Sequence, residues 1–230
     1  MMTTDKKYKD EEPLTDHQSE GENYNEEEES AEKHFLEHTW TLWYHNPQAK
    51  LNEQNYSQFF NEVYTFSDVE TFWRFVLSYG FVIVIFGMGF TSSVFNHIRG
   101  PSDITTGTTY FLLKEGIKPE WEDPKCINGG DWVYSFPRKF NNADQYWLDL
   151  VMFCVGESFT YSENLLGCCV ANRKNQIRIN LWVNTLDETI VKKFGEQLKY
   201  EALKLNPSVT IDFKSFRDQL DGKKTILQTV

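Results

Sequence analysis

The chain has 230 residues, enough for one domain with a sizeable core plus a tail. Seven Trp and 16% aromatic residues favour a β-rich fold with a stacking surface. The net charge of −11 excludes a non-specific binder of long phosphate backbones, which needs many cations.

Residues 1–33 hold twelve acids and four lysines, including Glu26-Glu27-Glu28-Glu29, and almost no large apolar side chain. Such a segment cannot bury enough surface to fold and reads as an acidic disordered tail, with the domain spanning 34–230. Its acidic, polar start reads as no secretory signal. From His38 to Tyr44, Trp40, Leu42 and Tyr44 alternate with Thr39, Thr41 and Trp43, a strand pattern. A polar loop containing Tyr56 follows. Ser67-Asp68-Val69-Glu70 has capping-box spacing, Ser at the cap and Glu three later, and opens a helix through Phe72, Trp73 and Phe75. Strands are expected at 108–113 and 131–136, and a helix over 142–156 with Trp147, Leu150, Val151, Cys154 and Val155 on one face. Two strands, 167–172 and 176–183, are joined by a turn at Lys174-Asn175. An amphipathic helix over 187–205 and a last strand over 209–213 complete the series. The fold class is therefore α+β: a curved antiparallel β-sheet with about three helices on its convex face and a cleft on the concave face.

The four cysteines lack C-x-x-C spacing. Adjacent Cys168 and Cys169 fall on opposite faces of a strand, and all four read as buried reduced thiols, with no metal and no cofactor implied. Glu122, Asp123 and Glu157 could be paired as acid and base, but no His or Cys has nucleophile context and no glycine-rich phosphate loop is present, so no catalytic residue is assigned and an enzyme is not expected.

The most telling stretch is Gly116-Ile117-Lys118-Pro119-Glu120-Trp121-Glu122-Asp123, closed by Gly129-Gly130 and Trp132. Pro119 sets an extended or turned backbone, so an indole face and a carboxylate sit side by side at a loop tip. An N7-methylated guanine suits that pair. Its cationic ring stacks with added cation–π attraction, and its Watson–Crick edge offers two N–H donors to one carboxylate.

Six ordered motifs support a family resemblance: Trp40-x-x-Trp43-Tyr44, Phe66-Ser67-Asp68-Val69-Glu70-x-Phe72-Trp73, Lys114-x-Gly116-Ile117-x-Pro119-x-Trp121-Glu122-Asp123, Gly129-Gly130-x-Trp132, Gly156-Glu157-x-Phe159 and Ile179-x-Leu181-Trp182. From about His34 onward the chain resembles the eukaryotic translation initiation factor 4E family, which binds the 7-methylguanosine 5′ cap of mRNA. Its cap loop looks most like the divergent 4E-homologous branch, which often represses translation. The resemblance implies base stacking by Tyr56 and Trp121, guanine recognition by Glu122, phosphate binding by Arg173 and Arg178, and a cleft wall at Trp182. It also implies a partner surface at His34, Val69, Trp73, Leu148 and Asp149 for a helix carrying a Tyr-x-x-x-x-Leu-hydrophobic motif, as in initiation factor 4G or 4E-binding proteins. A cytoplasmic location is expected. Three departures stand out: Asp131 where a basic residue is usual near the phosphates, Asn175 in place of a lysine, and Phe35 where Pro usually follows His34. Asp131 is expected to repel the phosphates. An alternative in the same fold is a partner-binding repressor with little cap affinity.

Phe75 to Phe95 runs twenty-one residues without a charge, long enough for a membrane span. A span there would split one sheet across a bilayer, so membrane anchoring is not expected. Removing Val76–Val94 restores family spacing and a continuous amphipathic helix. The run therefore reads as an anomalous insertion at 76–94, resembling translated non-coding sequence, and as an aggregation hazard.

Overall fold

The computed structural model describes residues 33–45, 59–78, 98–139 and 142–230; Tyr56 and most of the uncharged run lie outside them. Eight strands form one antiparallel sheet in the order β2-β1-β3-β5-β6-β4-β7-β8. They are β1 (Phe35–His45), β2 (Phe60–Asp68), β3 (Thr109–Lys114), β4 (Gly130–Pro137), β5 (Leu165–Asn172), β6 (Gln176–Val183), β7 (Asp212–Ser215) and β8 (Gln228–Thr229). The α+β class with helices on one face is what the sequence implied.

Alternation along the strands sorts side chains onto two faces. Trp40, Leu42, Leu112, Trp132, Cys168, Val170, Ile179 and Leu181 join one buried cluster with the apolar sides of α1 (Val69–Ser78), α2 (Ala143–Val155) and α3 (Glu188–Glu196), which continues as a π-helical turn over Gln197–Ala202. Phe111, Leu113, Leu166, Cys169 and Trp182 face the other way, under Ile117, Cys126 and Phe216. Cys168 and Cys169 do point to opposite faces, and all four cysteines are free and buried. The exception to helices on one side is α4 (Phe216–Leu220), a short helix lying with the loops on the concave face.

Several local expectations need correcting. The stretch read as polar loop includes strand β2, the edge partner of β1. Helix α1 begins one residue later than the capping box placed it, because Asp68 rather than Ser67 caps it: the Asp68 carboxylate accepts from the Thr71 amide at 2.7 Å. The last long strand is shifted to Asp212–Ser215; Ile211 precedes it and is buried. Val76, placed at the start of the insertion, is 1% exposed and belongs to the core with Phe75.

The Gly129-Gly130 pair is required by close approach. A Cβ on Gly129 would lie 1.9 Å from the Val183 carbonyl oxygen, and one on Gly130 2.3 Å from that of Lys214. The absence of a side chain at both positions lets the segment after residue 128 pack directly onto β6 and β7.

Lys114 closes the opposite end of the core. It is nearly buried and donates to the Ser162 carbonyl at 2.8 Å, with His38 Nε2 at 3.3 Å. Lysine only donates, so His38 Nε2 accepts and its proton sits on Nδ1, 3.0 Å from Glu157 Oε1. Glu157, in the Gly-Glu-x-Phe motif, holds a left-handed φ of 49° to reach this cluster. Burial lowers the Lys114 pKa, and the neighbouring Glu157 opposes that shift.

Candidate functional site

Residues 115–129 form a loop from β3 to β4 whose turns close on one another. The Ile117 amide donates to Lys114, Asp123 to Glu120, Cys126 to Asp123 and Gly129 to Cys126. Asp123 ties the loop together: its two carboxylate oxygens accept from the amides of Lys118, at 3.2 Å, and Lys125, at 2.8 Å. Ile117 and Cys126 anchor the loop in the lower core, leaving Trp121 half-buried and Glu122 exposed at the tip. Asp123 was legible only as part of a motif; its Asx-type bonding ahead of Pro124 is the local signal for its structural task.

Trp121 ends a row of aromatics that crosses the concave face. Its ring lies nearly parallel to Phe216, with centroids 6.2 Å apart and planes at 21°. Phe216 contacts Trp182 at 4.8 Å, Trp182 meets Phe111 edge-on at 5.7 Å, and Phe111 meets Phe60 at 5.7 Å. The segment holding Tyr56 joins β1 to β2, between His45 and Phe60, so its attachment points lie at the other end of this row. Trp182 itself is 2% exposed. The indole lies beneath the loop, packed by Phe111 and Phe216.

Farther along the same face the residues turn polar and basic. Arg178 on β6 stands across from Ser135 on β4 and Ala171 on β5, and its Nε is buried without a hydrogen-bond partner among the described residues. Arg173, at the end of the β5–β6 hairpin, is exposed and donates from Nη1 to the Gly107 carbonyl at 3.2 Å. Beside it, Pro137, Arg138, Lys139, Lys174 and Asn175 line an open cavity of about 380 Å³. His45 is buried near Arg173, and burial followed by that guanidinium lowers its pKa.

Asp131 does not behave as the sequence implied. It is 1% exposed and accepts from Asn180 Nδ2 and, at 2.8 Å, from Gln219 Nε2 on α4. Burial raises its pKa; the two amides, Arg178 and Lys214 pull it back only in part. A carboxyl so enclosed cannot stand in the open cleft as an anion facing phosphates, which removes the expected repulsion.

The residues expected at a partner surface lie on α1, α2 and the segment leading into β1. His34 Nδ1 pairs with Glu70 at 2.7 Å, and the Val69 amide donates to the His34 carbonyl at 2.8 Å. Val69 and Trp73 lie one turn apart on α1; Trp73 is 36% exposed and Val69 half-buried. Leu148 and Asp149 lie on α2, which meets α1 where Phe75 and Val76 share a narrow cavity with Trp147, Leu148 and Val151. Leu148 is nearly buried, and Asp149 accepts from Gln145 at 2.7 Å. Phe35, the departure from the family pattern, is 76% exposed beside this group.

Comparison with known proteins gives the family. The model of the family described as eukaryotic initiation factor 4E matches residues 35–79 and 90–229. The chain belongs to this family. Residues 80–89, inside the uncharged run, fall outside the match. Among curated proteins the chain is 35% identical over 192 residues to translation initiation factor 4E-2 of Nicotiana tabacum, covering 83% of this chain and 77% of that one. It is 34% identical over 190 residues to factor 4E-2 of Solanum lycopersicum, covering 82% and 76%. Among solved structures, C. elegans eIF4E-3 in complex with the 4E-binding protein Mextli and a cap analog superposes with a TM-score of 0.69 at 26% identity, over 85% of this chain and all of that one. Ascaris suum eIF4E-3 in complex with an m7G cap gives 0.70 at 26% identity, over 86% and 98%. This is a family of translation initiation factors, not of enzymes. Among the described residues no helix is long and apolar enough to cross a membrane.

Proposed function

We propose that this chain binds the 7-methylguanosine cap of mRNA in translation initiation or its regulation, with Trp121 as the stacking platform and Glu122 as the acceptor for the guanine edge. The observation that carries this reading is the loop tip itself: a half-buried indole beside an exposed carboxylate, held by Asp123 and set at the end of an aromatic row. The solved relatives described as cap complexes support the same ligand class. Tyr56 is assigned to the opposite face of the base. Arg178, whose buried Nε has no partner among the described residues, and Arg173 are assigned to the phosphates, where guanidinium forks suit such oxygens.

His34, Val69, Trp73, Leu148 and Asp149 are assigned to a helical partner of the Tyr-x-x-x-x-Leu-hydrophobic kind, in keeping with the 4E-binding protein seated on the C. elegans relative. The location is cytoplasmic, where capped messages are translated. The enclosure of Asp131 takes away one of the two grounds for a chain with little cap affinity, leaving the smaller ring of Tyr56 as the other. Retention on immobilised 7-methylguanosine diphosphate tests the reading. Wild type is retained and eluted by free ligand; Trp121→Ala and Glu122→Ala flow through. Retention unchanged by both substitutions refutes it.

A further inference from the structure

We infer that α4 is a built part of the base site: Phe216 sets the plane of Trp121 from behind, and Asp131 holds α4 in place through Gln219. This deepens the cap reading above and rests on it. Phe216 is fully buried between Trp121 and Trp182, so its ring is fixed in place. A flat ring has two faces. Phe216 lies roughly parallel against one face of Trp121, leaving the other for a ligand. Without it the indole would lose its stacked neighbour and would sample more rotamers, so a stacking ligand would have to order it on binding.

The tether has its own logic. Five residues of helix are too few to hold themselves on a surface. Ser215 caps α4 by accepting from the Asp218 amide, and the Phe216 amide donates to the Gly129 carbonyl, which joins α4 to the end of the Trp121 loop. Gln219, one turn along, reaches Asp131 at 2.8 Å, and Asp131 in turn bonds Asn180 on β6. An acidic residue at 131 thus acts as an internal acceptor joining β4, β6 and α4. Phe216, Gln219 and Asp131 are positioning residues; none is assigned contact with the cap.

The test uses the full chain with Phe216→Leu, which keeps an apolar side chain without a π-face, and Gln219→Ala, which cuts the tether and removes no ring. Affinity for 7-methylguanosine diphosphate is read by quenching of tryptophan fluorescence, alongside affinity for a Tyr-x-x-x-x-Leu-hydrophobic peptide. Phe216→Leu is expected to weaken the nucleotide about threefold to tenfold, the size of one aromatic pair, and Gln219→Ala by a smaller factor in the same direction. Peptide affinity stays unchanged in both, which general loosening of the fold would not allow. Unchanged or tighter nucleotide binding in both variants overturns the inference, and so does equal loss of nucleotide and peptide. Trp121→Ala is run in parallel: if it also leaves nucleotide affinity unchanged, the cap reading itself fails, and not only the role of α4.

Discussion

Asp131 and Asn180 are hydrogen-bonded diagonally across β4 and β6 on the concave face, Asn180 lying two residues along β6 from Trp182, the register partner of Asp131. The contact turns an acidic side chain inward at a place where an exposed anion would oppose a phosphate ligand.

A pH dependence follows from this enclosure. Burial raises the Asp131 carboxyl above the ordinary aspartate range, so near that range the folded chain holds a proton that the unfolded chain has released. The stability gained from that proton is present at low pH and is lost as pH rises through the folded value. Asp131→Asn stays neutral throughout and can keep a bond to one amide. Its stability relative to wild type is therefore expected to increase with pH from about 4 upward, measured by urea denaturation at several pH values. A constant difference would show that Asp131 ionises alike in both states.

Lys114 carries the opposite sign. Its pKa is lowered by burial, so between the folded value and the ordinary lysine range the unfolded chain binds more protons and stability rises with pH. Glu157→Gln keeps the shape and removes the charge that opposes the shift. It is expected to cost about 1–3 kcal/mol near neutral pH and to widen that window downward. An unaltered denaturation midpoint would mean that the Ser162 carbonyl and His38 suffice to hold the lysine.

Much of this architecture can be read from the chain because the strands alternate cleanly. Trp40, Leu42 and Tyr44 against Trp43 predict both faces of β1, and Cys168 against Cys169 both faces of β5. Strand β2 was hidden because Asn61, Glu62 and Val63 are exposed at the sheet edge and interrupt the period of Phe60, Tyr64 and Phe66. Helix α4 is five residues long, too short for any periodicity. Phe216 meets Trp121 only through the tertiary fold, so no local pattern links them. The same holds for Asp131: alternation places it opposite Trp132, but not under a helix that arrives from far along the chain.

The partner surface is testable apart from the cleft. Trp73→Ala removes the largest exposed side chain of α1 and is expected to weaken a Tyr-x-x-x-x-Leu-hydrophobic peptide by tenfold or more, on the order expected for an aromatic hot spot. Nucleotide affinity stays as in wild type. Equal peptide binding by calorimetry would place the partner elsewhere.

Arg178→Ala separates phosphate from base. Loss of one charge-assisted contact, roughly 1.5–3 kcal/mol, should weaken 7-methylguanosine diphosphate by about tenfold or more and leave 7-methylguanosine nucleoside unaffected. Equal weakening of both ligands would assign Arg178 a structural task.

The uncharged run can be trimmed with the core in view. Val76 is packed, so a deletion beginning there exchanges a buried side chain, whereas residues 80–89 lie outside the family match. Removing 80–89 is expected to raise soluble yield several-fold without altering nucleotide affinity. Equal yields, with monodisperse full-length protein, would make the run an accommodated part of the domain.

The central claim is that Trp121 and Glu122 grip an N7-methylated guanine, and a comparison of 7-methylguanosine diphosphate with guanosine diphosphate by tryptophan quenching tests it most directly. Stacking of a cationic ring is worth about 1–2 kcal/mol over a neutral one, so wild type should prefer the methylated ligand by about tenfold. Trp121→Ala should lose that preference and most of the affinity. Equal binding of both nucleotides by wild type, or an unchanged preference in Trp121→Ala, would contradict the account.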